Sequence, residues 1–140
     1  MNFSPNPFKI EAHVSGSTVE LFFTKSGLAF SGESVMKIEG GRVVSFTGPK
    51  GLINIPGRRD LDDRELTRLV MFMENATRAP FNSQEQNSQL IHNLKAFHED
   101  VLKQFDARIR LYQNEGSVDL EHLLIDSRRR FVIAMQRWGF

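Results

Sequence analysis

At Gly57 the hydrophobic period of this chain changes from two residues to 3.6, and that change restricts the fold more than any other feature of the sequence. Ahead of it, Phe8, Ile10, Ala12 and Val14 alternate with Lys9, Glu11 and His13, the pattern of a strand buried on one face. Ser15-Gly16-Ser17 supplies a turn, Thr18 to Thr24 a second strand, and Ser26-Gly27 another turn before Leu28-Ala29-Phe30. The strongest local signal is Gly40-Gly41, which separates Val35-Met36-Lys37-Ile38-Glu39 from Arg42-Val43-Val44-Ser45-Phe46. Two adjacent residues free to adopt positive φ predict a tight hairpin. Gly48-Pro49-Lys50-Gly51 then turns the chain into a short strand from Leu52 to Ile55, which Pro56-Gly57 ends. The sum is an antiparallel β-meander of five or six strands.

Beyond Gly57 three helices are predicted. Asp60 or Asp62 caps the first, and Asp62 with Glu65 forms a capping box with Asp in the place of Ser or Thr. This helix must stop before Pro80, and its run Leu69-Val70-Met71-Phe72-Met73 is apolar right round the axis, which predicts cover on two sides, between the sheet and the later helices. Ser83 and Gln86 offer a second box in a segment so polar that order is expected only from about Ser88. Leu90, Leu94, Phe97, Val101, Phe105 and Tyr112 then share one stripe, widened by Ile91, Leu102 and Ile109. Asn114-Glu115-Gly116 breaks the second helix and Ser117 or Asp119 starts a third, whose stripe is Leu120, Leu124, Ser127, Phe131, Met135 and Trp138. The last two helices read as an antiparallel helical hairpin, and the fold class as α+β.

At 140 residues the expectation is one domain, residues 1–140, with a sheet part (1–57) and a helical part (58–140) sharing one core. A small meander alone leaves an apolar face uncovered, so the change at residues 56–60 is a change of element, not a domain boundary. With 40% hydrophobic and 25% charged residues, the composition excludes a disordered or collagen-like chain. Twelve Phe against one Trp and one Tyr point to a Phe-rich core. The start, Met1 to Pro7, lacks a basic region followed by an apolar run, so no secretory signal is expected. No apolar stretch is longer than that of Leu69 to Met73, far short of the roughly 20 residues of a membrane span, and a cytoplasmic location with no membrane partner is expected.

Chemical motifs are missing where they would be diagnostic. The absence of Cys removes disulfides, thiolate zinc sites and Cys nucleophiles. Gly48-Pro49-Lys50-Gly51 superficially resembles a phosphate loop, but Pro49 has no N–H to offer and a strand follows instead of a helix. The dinucleotide fingerprint and the Gly-x-Ser-x-Gly elbow do not occur. His92 and His98 lie six residues apart, about 120° round a helix, and so face different directions. His122 and Asp126, at a spacing of four, suit an ordinary surface pair, with Asp126 reaching Arg130. The carboxylate pairs Asp62-Asp63 and Glu99-Asp100 read as capping and solvated charge. No catalytic residue, metal ligand or cofactor is therefore expected.

What remains is surface. Arg58-Arg59 and Arg128-Arg129-Arg130, with Arg137 two turns on, suggest phosphate contacts, yet three successive residues spread over about 200° of a helix, and carboxylates on helix two near Glu99 and Asp100 compete for them. A net charge of +1 gives no field that would draw in nucleic acid. Met71, Met73, Met135, Phe131 and Trp138 bring flexible and aromatic groups, the types that make adaptable contacts. The leading expectation is a non-enzymatic protein-binding module of regulatory, adaptor, inhibitor or chaperone type. Its surface is placed on the last helix, at Arg128, Arg129, Arg130, Phe131, Met135, Arg137 and Trp138. A nucleic-acid-associated protein using those arginines is the alternative, and a small enzyme without a recognisable motif the second. A homodimer is also expected. A helix from residue 83 to 113 would extend about 46 Å against a domain diameter of roughly 37 Å, and Ile91, Leu102 and Ile109 make its apolar face wider than one partner helix covers.

Overall fold

The computed structural model describes residues 8–25, 28–29, 35–48, 51–78 and 88–140. Six antiparallel strands come first: β1 (Phe8–Ser15), β2 (Thr18–Lys25), β3 (Leu28–Ala29), β4 (Met36–Glu39), β5 (Arg42–Gly48) and β6 (Gly51–Asn54). Helices α1 (Asp63–Ala76), α2 (Ser88–Glu115) and α3 (Val118–Gln136) follow. The sheet runs β1-β2-β4-β5-β6, and the two-residue β3 pairs with β2 beyond the end of β4. This is the meander followed by three helices that the change of period requires. The Ser26-Gly27 turn, the Pro49-Lys50 tip, Phe30 and the Ser83–Gln86 box lie outside the described residues.

Register puts the apolar sets of the strands in rows. Val14 faces Val19, Val19 faces Ile38 and Ile38 faces Val43; Leu21 faces Met36, Met36 faces Phe46 and Phe46 faces Ile53. A shift between Lys37 and Ile38 gives β5 an extra residue, Val44, whose carbonyl accepts from the N–H of Ile55 at 2.7 Å. Glu11, His13, Glu20, Lys37 and Glu39 alternate with the core rows and so lie on the opposite face, where His13 stacks against Phe22 at 4.7 Å. Gly40 and Gly41 turn the β4–β5 hairpin with φ of 57° and 82°. Gly41 is required twice over, because a Cβ there would stand 3.1 Å from the backbone carbonyl carbon and the Cβ of Ala96 in α2.

Asp62 caps α1 as its sequence implies. Its side chain accepts from the N–H of Glu65, and the Glu65 carboxylate accepts from the N–H of Asp62 in return. Beside it, Arg58 holds a φ of 53°, unusual for a residue with a side chain, and its carbonyl accepts from Arg42 Nη2 at 2.9 Å. The second helix begins its described part at Ser88 and runs 28 residues, about 42 Å. Gly116, at φ 72°, ends it, and Ser117 precedes α3 without a side-chain cap.

Both α1 and α2 reach the sheet, α1 at β5 and α2 across β1, β2 and β5, while α3 packs on α1 and α2. The first helix does touch sheet and later helix, but it shares the covering of the sheet with α2. One cluster of buried side chains runs through strands and all three helices, from Ile10 and Phe46 to Leu69, Phe97 and Phe131. The stripes are buried over most of their length, from Leu90 on in α2, but Ile91 and Leu120 are exposed, and Tyr112 near the end of α2 is half-buried. Leu102 and Ile109, expected as apolar excess, are largely covered within the chain by its own neighbours. At the start of α2, the Gln89 and Asn93 amides donate to the carbonyl of Gly16 at 2.8 and 3.0 Å, tying that helix to the β1–β2 turn.

Candidate functional site

The seven residues expected to meet a partner separate into three groups. Phe131 and Met135 are fully buried core, with Phe131 edge-on to Phe97 at 5.9 Å, so a docking partner does not meet them. Trp138 is half-buried and packs on the core from the turn that follows α3. The arginines lie at the surface, each engaged by the chain itself. Arg128 Nε donates to Asp106 at 2.9 Å, and Arg129 pairs with Asp126 one turn back. Arg130 makes a fork to Glu74 in α1, at 3.0 and 2.5 Å, and Arg137 donates to the Glu74 carbonyl at the end of that helix. The Glu74 carboxylate holds the Arg130 guanidinium above its ordinary pKa.

These partners differ from the expected ones. Asp126 takes Arg129, leaving Arg130 for α1, and Arg128 meets Asp106 instead of the Glu99–Asp100 region. The corner at Gly116 is tight, so Gln113 already faces Glu121, and Asp106 stands opposite Arg128. Arg59 is occupied as well, in a bidentate pair with Glu65 at 2.7 and 2.9 Å that keeps the Glu65 carboxyl below its ordinary pKa. The expected carboxylate pairs are dispersed: Asp62 caps α1, Asp63 accepts from the Tyr112 hydroxyl and faces Arg108 at 3.2 Å, and Asp100 accepts from Arg42 at 3.0 Å. The bond to Asp63 raises the Tyr112 pKa.

A shallow groove of about 270 Å³ opens between the approach to α1 and the second half of α2, lined by Asp60, Leu61, Gln104, Ala107, Arg108 and Leu111. Its polar groups already serve the fold. Asp60 holds Arg42 at 2.6 Å, the Gln104 amide oxygen accepts from the N–H of Leu61 at 2.7 Å, and Arg108 faces Asp63. Among the described residues no three His, Cys, Asp or Glu side chains stand close enough to share a metal ion. No described helix is long and apolar enough to cross a membrane.

His98 has an unusual environment. Its ring lies between Phe131, at 5.6 Å, and Phe140, at 6.3 Å, and its buried Nε2 has no hydrogen-bond partner among the described residues. Burial lowers its pKa, with Glu99 raising it and Arg128 lowering it further.

The sequence reading overlooked the outward face of α3. Val118, Leu123, Ile125 and Ile133 remain between 43% and 54% exposed. Val118, Ile125 and the half-buried Val132 recur at seven-residue spacing along the flank of the helix, about 100° round the axis from the core stripe of Leu124, Phe131 and Met135. Arg129, its side chain 71% exposed, stands among them. The signal was in the sequence: α3 carries aliphatic residues on both sides, one stripe more than its own core requires. Neither family models, nor curated proteins, nor solved structures give a match to the chain.

Proposed function

We propose that the chain is a non-enzymatic protein-contact module that works through the outward face of α3. The observation that carries this reading is the row of exposed aliphatic side chains at Val118, Ile125 and Ile133 with an arginine among them. Aliphatic groups with a charged rim are what a protein partner desolvates, and Arg is enriched in such contacts. Of the arginines that would serve a nucleic acid, Arg59, Arg128, Arg129 and Arg130 already pair with carboxylates of the same chain, so phosphates would have to displace those partners. A regulatory, adaptor, inhibitor or chaperone role fits a surface of this kind, and a cytoplasmic setting is part of the proposal.

Photo-crosslinking tests it. A benzophenone amino acid at Ile133, with Leu52 on β6 as the control position, is introduced in the native host. A protein adduct from position 133 that persists after nuclease treatment and is lost with Ile125→Asp supports the module. Equal adducts from both positions overturn it, as does an adduct that nuclease removes.

A further inference from the structure

Glu121, Ile125, Arg129 and Ile133 stand four residues apart and form one ridge along α3. The order along that ridge is acidic, aliphatic, basic, aliphatic. Around Ile125 it is self-complementary. Four residues to one side lies Glu121 and four to the other Arg129; seven to either side lie Val118 and Val132. We infer that the occupant of this face is a second copy of the chain, with the two α3 helices crossing antiparallel about a two-fold axis at Ile125. The inference rests on the protein-contact reading above and names its partner.

An antiparallel copy sets each residue against the one equally far on the other side of the axis. Ile125 meets Ile125 of the second copy, and Glu121 meets Arg129 on both flanks. Ridges of residues four apart interdigitate when two helices cross at about 50°, which brings these ridges parallel and their charges into register. Present contacts leave room for this. Arg129 pairs with Asp126 along its own helix at an exposed site, and Glu121 accepts one bond from Gln113 at 3.1 Å. A guanidinium has five donors and a carboxylate about four acceptor positions, so each gains a partner without losing its own. The Leu102–Ile109 face of α2 is taken up inside the chain. One helix crossing buries less than a standard interface, so the association is a weak one.

Sedimentation equilibrium of the full chain, up to roughly 100 µM, should show a monomer–dimer equilibrium. Ile125→Asp should weaken it at least about tenfold, as removal of a central contact does. Glu121→Arg alone and Arg129→Glu alone should each weaken it, and the two together should restore it, because reversal of both charges recreates the pairing. Since the chain has no cysteine, Ile125→Cys should oxidise to a disulfide-linked dimer while Ile91→Cys on α2 should not. A wild-type chain that stays monomeric overturns the second-copy assignment, and so does a double charge variant as weak as the singles. If it is monomeric yet position 133 still crosslinks to another protein, the contact reading survives without this partner; if that adduct is also missing, both fall.

Discussion

Burial holds the pKa of His98 below its ordinary value, and this makes the stability of the fold depend on pH. Well above the ordinary imidazole pKa of about 6.5 the ring is uncharged folded or unfolded, and stability is complete. As the pH falls below that, the unfolded chain binds a proton that the folded one refuses, so stability is lost until the lowered folded-state pKa is passed. Glu65, held below its ordinary pKa by Arg59, adds a loss of the same sign at more acid pH. Replacement of His98 by Phe should therefore flatten the decline in the urea midpoint between pH 7 and about 5. At pH 8 it should be neutral or stabilising, since a buried nitrogen without a partner is removed. An unchanged decline would assign the acid loss to other groups. None of this was readable from the sequence, where His98 is one of four scattered histidines. The partners of Arg128 and Arg130 escaped it because they are set by packing between elements, Arg128 reaching Asp106 in α2 and Arg130 reaching Glu74 in α1, while Arg129 turns back to Asp126 in its own helix.

Elements, by contrast, were legible wherever their cause is local. The Asp62–Glu65 box needs only residues three apart, and the β4–β5 turn only two glycines. Packing against α2 makes those two glycines unequal. An alanine at Gly40 meets nothing within 4 Å and bears only the strain of positive φ, about 1 kcal/mol. At Gly41 it bears the same strain and also presses on the Ala96 backbone at 3.1 to 3.2 Å. Gly41→Ala should cost about 1 kcal/mol or more beyond Gly40→Ala, the order of an overpacked contact, as measured by equilibrium unfolding. Equal losses would mean that the turn and α2 do not approach as described. Periodicity also found the core stripes of α2 and α3, yet missed the outward face of α3, because a stripe sufficient to explain the core was taken as the whole pattern of the helix. Ile91 and Leu120 are exposed for different reasons: Ile91 stands beside the buried Leu90 on the flank of the α2 stripe, and Leu120 lies in the first turn of α3.

A small sheet whose apolar face is covered only by the helices must unfold together with them. Strand side chains such as Met36 and Phe46 belong to the same buried cluster as Leu69 of α1, Phe97 of α2 and Phe131 of α3. Neither sheet nor helices can then lose their packing separately without exposing the other's apolar face, and one all-or-none transition follows. The chain supplies its own probe, for Trp138 is its only tryptophan and packs on the core at the end of α3, while far-UV dichroism reports mainly on the three helices. Urea unfolding followed by tryptophan fluorescence and by dichroism should give coincident curves. Leu21→Ala, a substitution wholly within the sheet at a fully buried position, should shift both by the same 2 to 5 kcal/mol that such cavities cost, roughly. If the Trp138 signal held its midpoint while Leu21→Ala lowered another transition, the sheet and the helical hairpin would be separate cooperative units. The polar Gln/Asn/Ser stretch at residues 82–89 would then be the first place to look for the division between them.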